Sequence, residues 1–177
     1  MNKQHILGFF DDLVRTPVFL FLCAMFLCGA AAGGLTGLRA GEGDGAAVLS
    51  GLLAELPAHV VQSTLCALIW VLLPLVCAFL RPRELLLSAV AAARGFVLAM
   101  TVAVRVGEGN AFIIGAAGIP AVLSVSALLA ACSMVWQGGE ATGRYSLRTC
   151  RMPYFLCVTL AVLSALLRAA IAALCNV

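Results

Sequence analysis

The feature that most constrains this chain is a series of long apolar runs. Residues 17–38 read PVFLFLCAMFLCGAAAGGLTGL without a single charge, and similar runs follow at residues 59–80, 85–104, 111–135 and 153–175. About 20 such residues in a helix cross the ~30 Å hydrocarbon core of a bilayer. The runs are continuous rather than alternating, which favours helices over barrel strands. We therefore predict an all-α, polytopic membrane protein, a single integral membrane domain with a bundle of about five transmembrane helices.

The chain also has too few charged residues to coat a soluble surface. Charged residues make up 11% of its 177 residues and hydrophobic residues 63%, whereas soluble domains have about 25% charged residues. We therefore expect the lipid bilayer to cover much of the protein. The net charge of +3 does not indicate a nucleic-acid partner, because basic and aromatic residues are not interleaved.

The positions of the cationic residues predict the topology. If the N-terminus is cytoplasmic, only Arg39 and Arg105 face outside, and the cytoplasmic side holds Lys3, Arg15, Arg81, Arg83, Arg144, Arg148 and Arg151. This bias predicts an N-in, C-out arrangement. In the first external loop, apolar residues at helical spacing predict an amphipathic segment at residues 46–57, lying along the outer interface.

The first span could alternatively be a signal peptide. Phe19 to Cys28 would form its apolar core, and the alanines at residues 30–32 fit a cleavage site. Asp11 and Asp12 before the run, and its continuation to Leu38, favour a retained span instead.

The residues that could form a catalytic or metal site are not arranged as such sites require. Seven of the eight cysteines fall within predicted spans, with Cys175 at the outer end of the last one; no CxxC pair occurs, and His5 and His59 are far apart in sequence. We interpret the cysteines as small apolar core residues. The spans have no acidic residue at their middle and no serine or zinc motif of the intramembrane hydrolases. We therefore expect no enzymatic activity, metal or cofactor.

Two stripes of small residues predict close helix packing. Gly29, Gly33 and Gly37 form a double GxxxG ladder on the first span, and the fifth span repeats the pattern with Ala161, Ala165, Ala169 and Ala173. Residues four apart share one helix face, and small ones let two backbones approach in lipid. Each stripe could dock a partner helix, or a second copy of the chain through the glycine ladder, or could pack against another span of the same chain.

Two arginines and a proline interrupt the spans. Arg94 either faces the bundle interior, near backbone carbonyls exposed by Pro74 or Pro120, or snorkels to the cytoplasmic interface. Arg168 is close enough to the end of its span to snorkel outward. Pro120 removes a backbone donor and Gly118 loosens the turn before it, so a kinked or broken helix is expected there.

Three stretches resemble the stage II sporulation protein M family of small bacterial membrane proteins. They are FLCAMFLCGAAAGG in the first span, Ala93-Arg94-Gly95-Phe96 followed by VLAMTVAV, and residues 111–135 around Ile119-Pro120. The resemblance implies a non-catalytic scaffold of the bacterial cytoplasmic membrane, which localises membrane-anchored peptidoglycan hydrolases at the septal membrane during engulfment. It implies a structural role for Arg94, Gly95 and Phe96.

A different class of function is a small transport component, such as the substrate-binding subunit of a vitamin-type importer. Such subunits are also short, hydrophobic and multi-span, but they have a polar or aromatic pocket near the outer face. Trp70 and Trp136 are too far apart in sequence to predict one.

Overall fold

The computed structural model describes residues 15–39, 60–107, 111–140 and 147–174, and these ranges form helices without any strand. The helices are α1 (Pro17–Arg39), α2 (Val60–Cys77), α3 (Arg83–Gly107), α4 (Ala111–Glu140) and α5 (Leu147–Leu174). Each predicted span overlaps one of these helices. The predicted amphipathic segment at residues 46–57 lies outside the described residues.

Three of the helices contain segments long and apolar enough to cross a membrane: Pro17–Arg39, Arg83–Ala103 and Pro120–Gly138. In α2 and α5 the described apolar segments are shorter, Leu68–Cys77 and Tyr154–Leu167. The prediction of an all-helical protein with membrane-spanning helices is confirmed at this level. The count of five spans and the N-in, C-out topology stay predictions.

The helix boundaries follow from local chemistry. Pro17 opens α1, where its missing N–H costs nothing, and the carbonyl of Thr16 accepts from the amides of Phe19 and Leu20. After α2, a turn that includes a cis peptide bond between Arg81 and Pro82 leads into α3.

The α1 helix packs closely against α3, and the two run parallel. Gly29 packs against the backbone of Ala92, and Gly33 packs against the backbone of Phe96. Residue numbers therefore increase in the same direction along both helices. The rest of α1 is largely uncovered, and its buried residues are Leu22 and the three glycines of the ladder. Its bulky outward side chains are those a bilayer would cover: Leu20, Phe21, Leu27, Leu35 and Leu38.

The α4 helix is the centre of the bundle. Every residue from 127 to 135 is buried, so this part of the helix is covered on all sides. It packs against α5, α3, α2 and α1, and α5 also packs against α2. The core around it includes Val71 of α2, Leu87 of α3 and Cys157 of α5.

Candidate functional site

The buried arginine of α3 is the most unusual feature of the bundle. Arg94 is 0% exposed and is the largest of the fully buried side chains in the described part of the chain. It lies eleven residues after Arg83, where α3 begins, which is about 16 Å along the helix axis. That distance is about half the ~30 Å hydrocarbon core. Arg94 therefore faces the bundle interior, near the middle of the apolar segment Arg83–Ala103.

Neighbouring helices supply two neutral partners for the guanidinium. Its Nη2 donates a hydrogen bond to Oγ of Ser124 on α4 at 3.0 Å. Its Cζ lies 5.1 Å from the ring centroid of Trp70 on α2, within the range of a cation–π contact. One side chain thus connects α2, α3 and α4. We call Arg94, Trp70 and Ser124 the arginine centre.

The energies of these contacts match the cost of the charge. An arginine at the middle of a membrane helix costs about 2.5–3.5 kcal/mol on insertion scales. A hydrogen bond to a charged group contributes about 1.5–3 kcal/mol, and a desolvated cation–π contact contributes about 2 kcal/mol. These two contacts are of the same order as the insertion cost, so they offset a large part of the cost of keeping a charge inside the bundle.

The proline of α4 lies one helical turn before Ser124. Pro120 is buried, and the helix continues through it from Ala111 to Glu140, so α4 is not broken there. A Cβ added at Gly118 would meet nothing within 4 Å. The sequence suggested that carbonyls near Pro74 or Pro120 would receive Arg94, and that contact stays a prediction beside the contacts of Arg94 with Ser124 and Trp70.

The glycine ladder is covered by α3 of the same chain. A Cβ at Gly29 would lie 2.9 Å from Cα of Ala92, and one at Gly33 would lie 2.7 Å from Cα of Phe96. A Cβ at Gly37 would lie 2.8 Å from Cβ of Ala103. Of the two interpretations left open by the sequence, the fold has the intramolecular one. Two copies could associate through this face only if α1 left α3.

The contact between α1 and α3 is reciprocal. Gly95 of α3 is buried, and a Cβ there would overlap the carbonyl oxygen of Phe26 and lie 3.0 Å from the amide nitrogen of Ala30. Phe96 offers its backbone to Gly33 from the neighbouring position. The segment Arg94-Gly95-Phe96 thus contacts α1 through Gly95 and Phe96 while Arg94 reaches the opposite side, towards α2 and α4.

The alanine stripe of α5 faces the interior over the part that is described. Ala161 and Ala165 are both 0% exposed, and α5 packs against α4 and α2. The placement of Ala161 and Ala165 agrees with the interpretation that the stripe packs against another helix of the same chain. The side chains of Ala169 and Arg168 lie outside the described ones, so the snorkelling expected for Arg168 stays a prediction.

The cysteines whose side chains are described are all free thiols. They are Cys23, Cys28, Cys77, Cys132 and Cys157, of which the last three are buried in the bundle. Across the described ranges, no three side chains of His, Cys, Asp or Glu converge so that they could hold a metal ion.

Comparison with known proteins adds no relative. The chain matches no family model, no curated protein and no solved structure. The resemblance of three stretches to the sporulation family stays a prediction, and function has to be argued from the geometry.

Two members of the arginine centre were missed from the sequence. Ser124 lies one turn after Pro120, and Trp70 lies 24 positions before Arg94 on another helix. Neither of these separations in sequence corresponds to a recognisable motif. The available signal was chemical, since a buried cation needs an acceptor and favours an aromatic face, and both kinds of residue occur within the neighbouring spans.

Proposed function

We propose that this chain is a non-catalytic scaffold of the bacterial cytoplasmic membrane that holds membrane-anchored partner proteins in place. The observation that carries the proposal is the close packing of the bundle on itself. The α4 helix is buried on every side from residue 127 to 135, and α1 contacts α3 backbone to backbone at its glycines. A scaffold needs a fixed arrangement of helices, which such packing provides.

Hydrogen bonds between helices support the same proposal. The hydroxyl of Tyr154 on α5 donates to the carbonyl of Val71 on α2. Nε2 of Gln137 near the end of α4 donates to Oγ1 of Thr16 before α1, at 3.1 Å. With the arginine centre, these contacts tie together all five helices, α1 to α4, α2 to α5 and α3 to α2 and α4.

The proposed partners are peptidoglycan hydrolases with their own membrane anchors, as the resemblance of the three stretches to the sporulation family implies. Because α3 covers the glycine face of α1, a partner helix would meet the opposite face. That face carries Leu20, Leu27, Leu35 and Leu38, all of which are exposed. It runs along the whole of α1, so a second transmembrane helix could follow it across the bilayer.

Photo-crosslinking in native membranes tests this proposal. A photoreactive amino acid replaces Leu27, which is 65% exposed, or Leu22 as a control on the same helix, which is 0% exposed. We expect a crosslinked cell-wall hydrolase at position 27 and crosslinks within the chain at position 22. Recovery of an importer ATPase module without any hydrolase would overturn the scaffold proposal.

The second candidate is the substrate-binding subunit of a vitamin-type importer, and one observation favours it. The arginine centre places a cation, an aromatic ring and a hydroxyl together near mid-membrane, and ionisable residues at that depth commonly mark substrate pathways. Uptake measured in cells separates the two candidates. An importer subunit loses uptake in Arg94→Met, whereas a scaffold keeps its crosslinks to hydrolases in that variant.

A further inference from the structure

A short open groove lies at the end of the bundle where α1 begins and α4 ends. Its lining residues are Pro17, Val18 and Phe21 of α1 and Trp136 of α4, and its volume is about 280 Å³. Phe21 and Trp136 meet edge to face, with ring centroids 6.0 Å apart and an interplanar angle of 68°. We call these four residues the interface groove.

The rim of the interface groove is polar and cationic. The hydrogen bond from Gln137 to Thr16 lies immediately beyond the apolar lining. Arg15, two residues before Pro17, is exposed. Because α1 and α3 are parallel, the cations around the start of α3, Arg81 and Arg83, lie at this same end of the bundle but outside the lining of the groove.

The groove therefore has the chemistry of the boundary between hydrocarbon and headgroups. Tryptophan is enriched at that boundary, and Phe21 lies only about 6 Å further along α1 than Pro17. Arginines near a membrane surface attract anionic headgroups, and a guanidinium can bind phosphate oxygens in a bidentate manner. An apolar wall below a cation matches a phospholipid with its acyl chain below a charged head.

We propose that the interface groove binds one anionic phospholipid, with its phosphate at Arg15 and the upper part of an acyl chain along Phe21 and Trp136. The size of the groove favours a lipid over a protein partner. Its lining spans little more than one turn of α1 and a single residue of α4, whereas a docked helix would need a longer face. The site is independent of the scaffold proposal.

Fluorescence quenching by brominated lipids tests this site on the full chain. The protein contains two tryptophans, so Trp70→Phe leaves Trp136 as the only reporter. The protein is reconstituted in phosphatidylcholine vesicles that contain a minor fraction of either brominated phosphatidylglycerol or brominated phosphatidylcholine. We expect Trp136 to select the anionic lipid by about fivefold, since one arginine near the surface contributes about 1 kcal/mol.

Two variants show whether the selection belongs to the groove. Arg15→Gln is expected to abolish the preference, and Arg81→Gln, which removes an exposed cation at the same end, is expected to keep it. Equal quenching by the two brominated lipids, or a preference unchanged by Arg15→Gln, would refute the site. If neither brominated lipid quenches Trp136, the site is also refuted, and protein covers the groove.

Native mass spectrometry gives the same comparison without the tryptophan replacement. The protein with both tryptophans is expected to retain phosphatidylglycerol in preference to phosphatidylcholine, and Arg15→Gln is expected to lose that preference while Arg81→Gln keeps it. Retention of the two lipids in proportion to their supply would overturn the proposal.

Discussion

The contact between α1 and α3 makes a sharp prediction at two adjacent glycines. In Gly33→Ala the new Cβ would lie 2.7 Å from Cα of Phe96, about 1 Å inside the usual carbon–carbon separation. Backbone atoms cannot rotate away, so the helices must separate. Overpacking of this kind costs about 1–3 kcal/mol, partly offset by the helix propensity of alanine, about 1 kcal/mol over glycine. In Gly34→Ala the Cβ meets nothing within 4 Å, so only the propensity gain remains.

The free energy of unfolding, measured by SDS titration in mixed micelles with circular dichroism, compares the two variants. We expect Gly34→Ala to be as stable as the parent or more stable, by up to about 1 kcal/mol, and Gly33→Ala to be less stable than Gly34→Ala by about 1–3 kcal/mol. The substitution and the helix are the same in both, so the difference isolates the contact with α3. Equal stabilities would show that α1 does not pack on α3 through this face.

The same unfolding assay tests three further contacts. Ser124→Ala is expected to lower the free energy of unfolding by about 1.5–3 kcal/mol because it removes a hydrogen bond to a buried charge. In the presence of Arg94→Met the same substitution is expected to cost less than about 1 kcal/mol. An undiminished cost in that background would contradict the pairing. Tyr154→Phe is expected to cost about 1 kcal/mol, the contribution of one hydrogen bond, and no loss would argue against that bond. Leu22→Ala is expected to cost at least about 2 kcal/mol more than Leu27→Ala, because only the first leaves a cavity; similar costs would refute the placement of α1.

The sequence was sufficient to predict the helices and their character as membrane spans. Spans are defined by length and by the absence of charge, which are local properties, so residues 17–38 and 111–135 could be identified without any knowledge of their neighbours. The ladder of Gly29, Gly33 and Gly37 likewise predicted one closely packed face. Which helix covers that face could not be predicted, because a glycine face accepts any helix that presents its backbone closely enough.

The long apolar runs thus determined by themselves that this chain folds as membrane helices, since only helices satisfy all their backbone hydrogen bonds within one segment. The tertiary structure decided how those helices are used. It placed the glycines of α1 against α3, buried Arg94 in the bundle interior and brought Ser124 and Trp70 to it from two other helices. It also joined Trp136 to Phe21, far apart in the chain, in the interface groove. These outcomes depend on the order and rotation of the helices, which contacts between residues distant in sequence establish and no local pattern encodes.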